Sequence, residues 1–221
     1  MEKDNFAVIT GDVVNSSKIE GDYTKVLNDI AKDIIQHQDP GFIFEIYRGD
    51  SFQGLVTEPG KALLLSLIIR AGLRRNTRGK NLDSIWDARI SIGIGKVKNL
   101  KLTAGTKIGT LDGEAFVLSG KAMDKMKNEN SLIKISTSDD QFNKEFAAVC
   151  PLLDVITRRW STAQAEAVYI YLLRNLTQKE IGNLLNTSQR AISKRLETSS
   201  IEKIKPFLFH FNELILWKYS S

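Results

Sequence analysis

Hydrophobic and polar positions follow two periods over residues 1–140 and one period after that. Phe6 to Thr10 is an unbroken apolar run of strand length, with Gly11 and Asp12 at its C-terminal end. From Tyr23 to Gln38, Val26, Leu27, Ile30, Ala31, Ile34 and Ile35 recur at helical spacing, and Pro40-Gly41 stops that helix. Phe42, Phe44 and Ile46 then fall at alternate positions, as do Phe52, Gly54 and Val56 beyond the turn at Arg48-Gly49-Asp50. That is period two on both arms of a hairpin. Lys61 to Arg75 reads as a helix apolar almost all round, hence buried. Ala88 to Ile94 is a strand. Glu114 to Met126 is a helix with Ala115, Leu118, Ala122 and Met126 on one face, and Leu132 to Ser136 is a last short strand. The order β-α-β-β-α-β-α-β predicts an α+β fold, a sheet covered by helices on a ferredoxin-like core.

After Pro151 only the helical period remains, which divides the chain into a mixed part, 1–150, and a helical part, 151–221. Ser161 is placed to cap a helix reaching Asn175. In "LTQKEIGNLL", Thr177 and Glu180 have capping-box spacing, and Ser188 caps the helix of "NTSQRAISKRL". Two short helices separated by a few residues form a helix-turn-helix arrangement, with Ile181, Leu184, Leu185, Ile192 and Leu196 as its core. The apolar, aromatic segment Ile201 to Tyr219 is expected to pack these helices back onto the body.

Composition narrows the classes. The 221 residues are 42% hydrophobic and 26% charged, an ordinary balance for a chain that buries a core. A lone cysteine, Cys150, cannot form an internal disulfide and fits a reducing compartment. "MEKDN" lacks the basic start and apolar core of a signal peptide. "ALLLSLIIRAGL" is too short to span a bilayer and carries Arg70. A cytoplasmic location is therefore expected, with no membrane partner.

The net charge of +5 is uneven. Residues 1–150 carry 21 Lys+Arg against 20 Asp+Glu, and residues 151–221 carry 10 against 6. The basic helical part points to an anionic partner. If Ile192 and Leu196 face inward, Gln189, Arg190, Ser193 and Lys194 face out. Gln and Arg suit base edges, while Ser193, Lys194 and Arg195 suit the phosphate backbone. DNA is then the expected partner, and paired half-sites imply a homodimer. A protein-contact module built from the same helices is the alternative.

A second candidate site lies in the mixed part. Asp12 ends the first strand and Asp50 sits at the hairpin tip, so the sheet order is expected to bring them together. Two ionised carboxylates repel unless a cation lies between them. All-oxygen donors suit Mg²⁺ or Mn²⁺, with nucleotide phosphates as further ligands. Asn15 and Ser16, before the first long helix, serve either as ligands and phosphate donors or as caps. Arg48 is placed to steer phosphate. The cluster Arg70, Arg74, Arg75, Arg78 and Lys80 reads as a solvated helix end. "GIGKVKNLKLTAGT" lacks Walker A spacing, His37 and His210 have no cysteine companions for zinc, and no Gly-x-Ser-x-Gly elbow occurs.

"TGDVVNSS" followed by "YRGDSF" resembles the two metal-binding segments of the nucleotidyl cyclase/GGDEF palm superfamily. "ARISIGIG" and "LDGEAFVLSGKAM" are similar to a strand and a later helix of the same families. More narrowly, "ITGDVVNS", "YRGDSFQ" and "DGEAF" with a C-terminal helix-turn-helix resemble the SatD family of bacterial proteins, over nearly the whole chain. The resemblance implies a palm-like domain over 1–150 that binds a metal–nucleotide through Asp12 and Asp50, and a helix-turn-helix over 151–221. It also has departures. Val117 stands where cyclases carry Asn, Lys121 where they carry the transition-state Arg, and Ile46 and Thr110 near the base-reading positions. Ser51 stands in place of the Glu of GGDEF. Lys121 retains a charge for phosphate but not the planar fork of Arg. The combined expectation is a regulator that binds DNA and a phosphate ligand; the alternative is an Mg²⁺-dependent nucleotidyl-transfer enzyme.

Overall fold

A computed structural model describes residues 5–47, 49–77, 85–98, 100 and 106–219. Arg48, Arg78 and Lys80 lie outside the described residues. The elements are β1 (Asn5–Val13), α1 (Tyr23–His37), β2 (Ile43–Tyr47), β3 (Ser51–Val56), α2 (Ala62–Arg74), β4 (Ala88–Lys98), β5 (Asp112–Gly113), α3 (Glu114–Glu129), β6 (Ile133–Ser136), α4 (Asp140–Thr157), α5 (Thr162–Arg174), α6 (Gln178–Leu184), α7 (Gln189–Ser199) and α8 (Ile201–Tyr219).

The sheet runs β2-β3-β1-β4, all antiparallel, with β6 parallel to β4 and the short β5 antiparallel to the far end of β4. With α1 and α2 as crossovers, its first four strands have the split βαβ order of a ferredoxin-like sheet. β1 is central and extends past its apolar run, because Gly11, Asp12 and Val13 still find partners on β4. Asp12 therefore lies inside the strand rather than beyond its end, opposite Ser51 on one side and Arg89 on the other.

Alternation sorts the sheet into two faces. Ala7, Ile9 and Val13 join Phe52, Val56, Ile90, Ile92 and Ile94 in the large core under α1 and α2. Phe6, Val8 and Leu55 face the other way, into a smaller cluster with Ile108 and Ala115 at the start of α3. α3 lies very close to β4 on that second face. A Cβ at Gly93 would come within 2.2 Å of the Ala115 carbonyl and 2.5 Å of the Ser119 nitrogen. On the first face a Cβ at Gly11 would strike the Phe52 ring at 2.2 Å. The glycines of "TGD" and "SIGIG" are thus places where a ring and a helix backbone rest on the sheet.

α2 is buried on nearly every side because α5 covers the face turned from the sheet. Its two arginines are not solvated, contrary to the basic-cluster reading. Arg70 is fully buried and donates to Asp87 (2.9 and 3.1 Å) and to Asp154 (3.0 Å). Arg74 donates to Asp87 (2.9 Å) and to the carbonyls of Trp160 and Arg158 (2.8 and 2.7 Å). Arg75 stacks over Tyr169, 3.6 Å from the ring centroid. Burial pushes the Asp87 carboxyl up, but Arg70 and Arg74 more than offset this and hold it below the usual carboxylate range.

Residue 150 lies within α4, which runs through Pro151. The large core continues from the sheet through Phe146, Leu153, Ile181, Ile192 and Leu196 to Phe211 and Ile215. α4 also covers β6, a sheet-edge strand. Asp154 accepts the Leu132 and Ile133 amides (2.7 and 3.3 Å), which blunts that edge against further pairing. Among the described residues no helix is long and apolar enough to cross a membrane.

Candidate functional site

α3 covers only part of the second sheet face. Around the middle of β1 the side chains on that face turn polar, in two adjacent cross-strand rows. One row is Glu45, Gln53, Thr10 and Ser91; the next is Tyr47, Ser51, Asp12 and Arg89. They are bonded into one layer. Gln53 donates to the Thr10 hydroxyl (3.3 Å), Thr10 to Ser119 of α3 (3.0 Å), and Ser91 to the Ser119 carbonyl (2.7 Å). Glu45 accepts from the Tyr47 hydroxyl (2.7 Å) and from the amides of Ile108 and Gly109 (3.0 and 3.4 Å). Burial first, then the hydrogen bond to Glu45 and its charge, push the Tyr47 phenol up.

The backbone brings the hairpin tip with Asp50 beside the Asp12 end of β1, at the end of this layer. The Val13 amide donates to the Asp50 carbonyl (3.0 Å), which ties the hairpin tip to β1 one residue past Asp12. The Ser16 hydroxyl donates to the Asp50 carboxylate (2.9 Å), and Ser51 does so at 3.3 Å. Asn15, in left-handed conformation, is exposed and starts a short 3-10 turn over Ser16–Lys18. Asp12 takes a different partner. Arg89 donates from Nε to one oxygen (3.0 Å) and from Nη2 to the other (2.9 Å).

This pairing decides how well a divalent ion suits the site. Both Asp12 oxygens already face a guanidinium, and a second cation there would sit beside a fixed positive charge. The remaining oxygen donors are Asp50, Ser16 and Ser51. Among the described residues no group of three or more His, Cys, Asp or Glu could hold a metal. As arranged, Asp12 offers a resident metal ion no carboxylate oxygen that is not shared with Arg89.

In the helical part, local chemistry sets each helix start. Ser161 and Gln164 form a capping box on α5, Thr177 and Glu180 form one on α6, and Ser188 accepts from the Ala191 amide to cap α7. The turn between α6 and α7 carries Asn186 in left-handed conformation, and its Thr187 amide returns to the Gly182 carbonyl (2.9 Å). Ile181, Ile192 and Leu196 are buried, whereas Leu184, read as core, is 48% exposed at the last position of α6. Gln189 and Arg190 are exposed at the start of α7 and Ser193 is half-buried. Lys194 pairs with Glu197 (3.2 Å), and Arg195 is drawn back to Glu166 of α5 (3.2 Å). The Trp160 indole donates to the Ser199 carbonyl (2.8 Å), fixing the far end of α7 beside the Arg74 network.

The profile of the SatD family matches residues 6–207. The chain belongs to the SatD family. No curated protein matches it. Among solved structures, it is similar to the active GGEEF domain of a diguanylate cyclase from Vibrio cholerae, at 15% identity over 62% of this chain and 85% of that one, with a TM-score of 0.38. A likeness of that size establishes neither activity nor ligand.

Of the residues expected in this SatD-family site, Ser16 bonds to Asp50, whereas Asp12 pairs with Arg89. Arg48 lies outside the described residues. Lys121 is exposed on α3, two residues and about 200° round the helix from Ser119, which faces the sheet. It is not brought to Asp12. Arg89, Glu45, Tyr47, Gln53 and Thr10 were not among the expected residues. Their signal was present: they are the polar half of the same period-two alternation whose apolar half predicts the strands. Cys150 carries no chemistry here. Burial first, then Asp154, push its thiol up to about 12.

Proposed function

We propose that this chain is a DNA-binding regulator whose sheet face holds an anionic, phosphate-bearing ligand. The observation that carries the reading is the start of α7. Ser188 caps it, Ile192 and Leu196 anchor it, and Gln189 and Arg190 are left exposed on its first turn. In a helix-turn-helix, that is the part of the second helix that enters the major groove. Arg190 and Gln189 then read bases, and Lys194 meets phosphate once released from its weak exposed pair with Glu197. Arg195, held by Glu166, orients α7 instead. Two copies bind two half-sites one helical turn apart.

Selection of genomic DNA fragments, followed by titration at several salt concentrations, tests this. Arg190→Ala is expected to cost about 1–3 kcal/mol at the selected site and relax its sequence preference. Lys194→Ala is expected to weaken all sequences alike and lower the salt slope by about one. Failure to enrich any fragment, with equal weak binding by wild type and both variants, rejects DNA reading.

Nucleotidyl transfer is the second reading, favoured by the adjacency of Asp12 and Asp50 at the hairpin tip. Cyclic or linked products formed from ATP or GTP with Mn²⁺, and lost in Asp12→Asn, would put it first.

A further inference from the structure

The Asp12–Arg89 pair carries a consequence for how the sheet face meets its ligand. β1 and β4 are in fixed register, with Asp12 and Arg89 as directly opposed partners one pair short of the end of a continuous antiparallel ladder. The pair is not a loose surface contact. The side chains are only 14% and 27% exposed, and both carboxylate oxygens are engaged, by Nε and by Nη2. Strand register sets the approach of the two groups, so they meet without a loop having to order. The Nη1 edge of Arg89 takes part in neither bond. A guanidinium cannot lose its proton in a protein, so the positive charge beside Asp12 is permanent.

We propose that Arg89 is the built-in cation of this site: it occupies the role a divalent ion would take at Asp12 and excludes Mg²⁺ and Mn²⁺. Two carboxylates with one guanidinium leave less negative charge than two carboxylates alone, so a hard cation gains little on entering. The proposal rests on the reading of the polar sheet face as a ligand site. It does not involve α7, so DNA binding and the experiments below fail independently.

Mn²⁺ titration of the full chain, with free Mn²⁺ followed by electron paramagnetic resonance, tests the exclusion. Wild type is expected to show no site that depends on Asp12. Arg89→Gln keeps hydrogen bonding but removes the charge. It is expected to gain one Mn²⁺ with affinity raised about tenfold or more, the scale on which one neighbouring charge shifts a carboxylate's affinity for a cation such as the proton. Asp12→Asn in that background is expected to lose it. Arg89→Lys retains the charge and is expected to keep Mn²⁺ out, which separates loss of charge from loss of structure. A wild-type Mn²⁺ site that disappears in Asp12→Asn overturns the proposal. So does an Arg89→Gln protein that folds and gains no Mn²⁺.

Discussion

Asp154 is the residue whose removal tests the account of how the helical part is joined to the sheet. Its carboxylate accepts from Arg70 (3.0 Å), from the Leu132 and Ile133 amides (2.7 and 3.3 Å) and from the Ser131 hydroxyl (3.4 Å). Asp154→Ala leaves Arg70, which has no exposed surface, with Asp87 as its one remaining carboxylate. It also orphans two amides at the start of an edge strand, whereas Ser131 keeps its bond to the Ile133 carbonyl (3.1 Å). Breaking a buried ion pair from one side costs about 3–5 kcal/mol. Asp87 retains part of the compensation for Arg70, and each orphaned amide adds back about 1 kcal/mol or more. The expected loss is therefore about 3–5 kcal/mol, or a Tm lowered by about 6–20 °C for a chain of this size. Urea unfolding followed by circular dichroism and tryptophan fluorescence measures it, with an unchanged m-value as the check that the unfolded state is the same. Asp154→Asn keeps one acceptor oxygen and is expected to fall between wild type and Asp154→Ala. Glu197→Ala, in an exposed pair, is expected to change nothing measurable. A loss below about 1 kcal/mol in Asp154→Ala would refute the claim that this network secures α4 and β6 to α2.

Asp87 sets an acid limit on the same network. Its folded carboxyl is held below its unfolded value, so its contribution is fully present above about pH 4 and is lost as pH falls through the folded value. Urea midpoints should accordingly drop below pH 4 in wild type and do so less steeply in Asp87→Asn, already weakened at neutral pH. Gly93→Ala puts a methyl 2.2 Å from the Ala115 carbonyl, a backbone atom that cannot step aside without moving α3. A loss of about 1–3 kcal/mol is expected, as for other overpacked sites, and thermal unfolding measures it.

Much of the architecture was legible because it depends on period. The run at Phe6, the alternation across Phe42 to Val56 and the helical spacing from Val26 to Ile35 each specify an element whose apolar side must be buried, whatever covers it. The caps at Ser161, Thr177 and Ser188 were equally readable, since a capping hydroxyl acts within three residues of its own position. Gly11 and Gly93 could be seen as motif residues, but not as contact points, because what rests on them, Phe52 and α3, is distant in sequence.

What the sequence determined by itself was the set of local preferences: which segments are strands, which are helices and where each helix starts. Those follow from dihedral preference and from burial of one face, both of which act over a few residues. Only the tertiary structure decided the partners of the charged groups. Arg70 and Arg74 look like a basic helix end in one dimension, yet α2 is enclosed between the sheet and α5, so the two must meet Asp87 and Asp154 or remain buried and unpaired. Asp12 and Asp50 look like a metal pair, yet the β1–β4 register delivers Arg89 to Asp12 from 77 residues away. Charge interactions depend on distance through space and on the dielectric around them, and neither is fixed until the chain has packed.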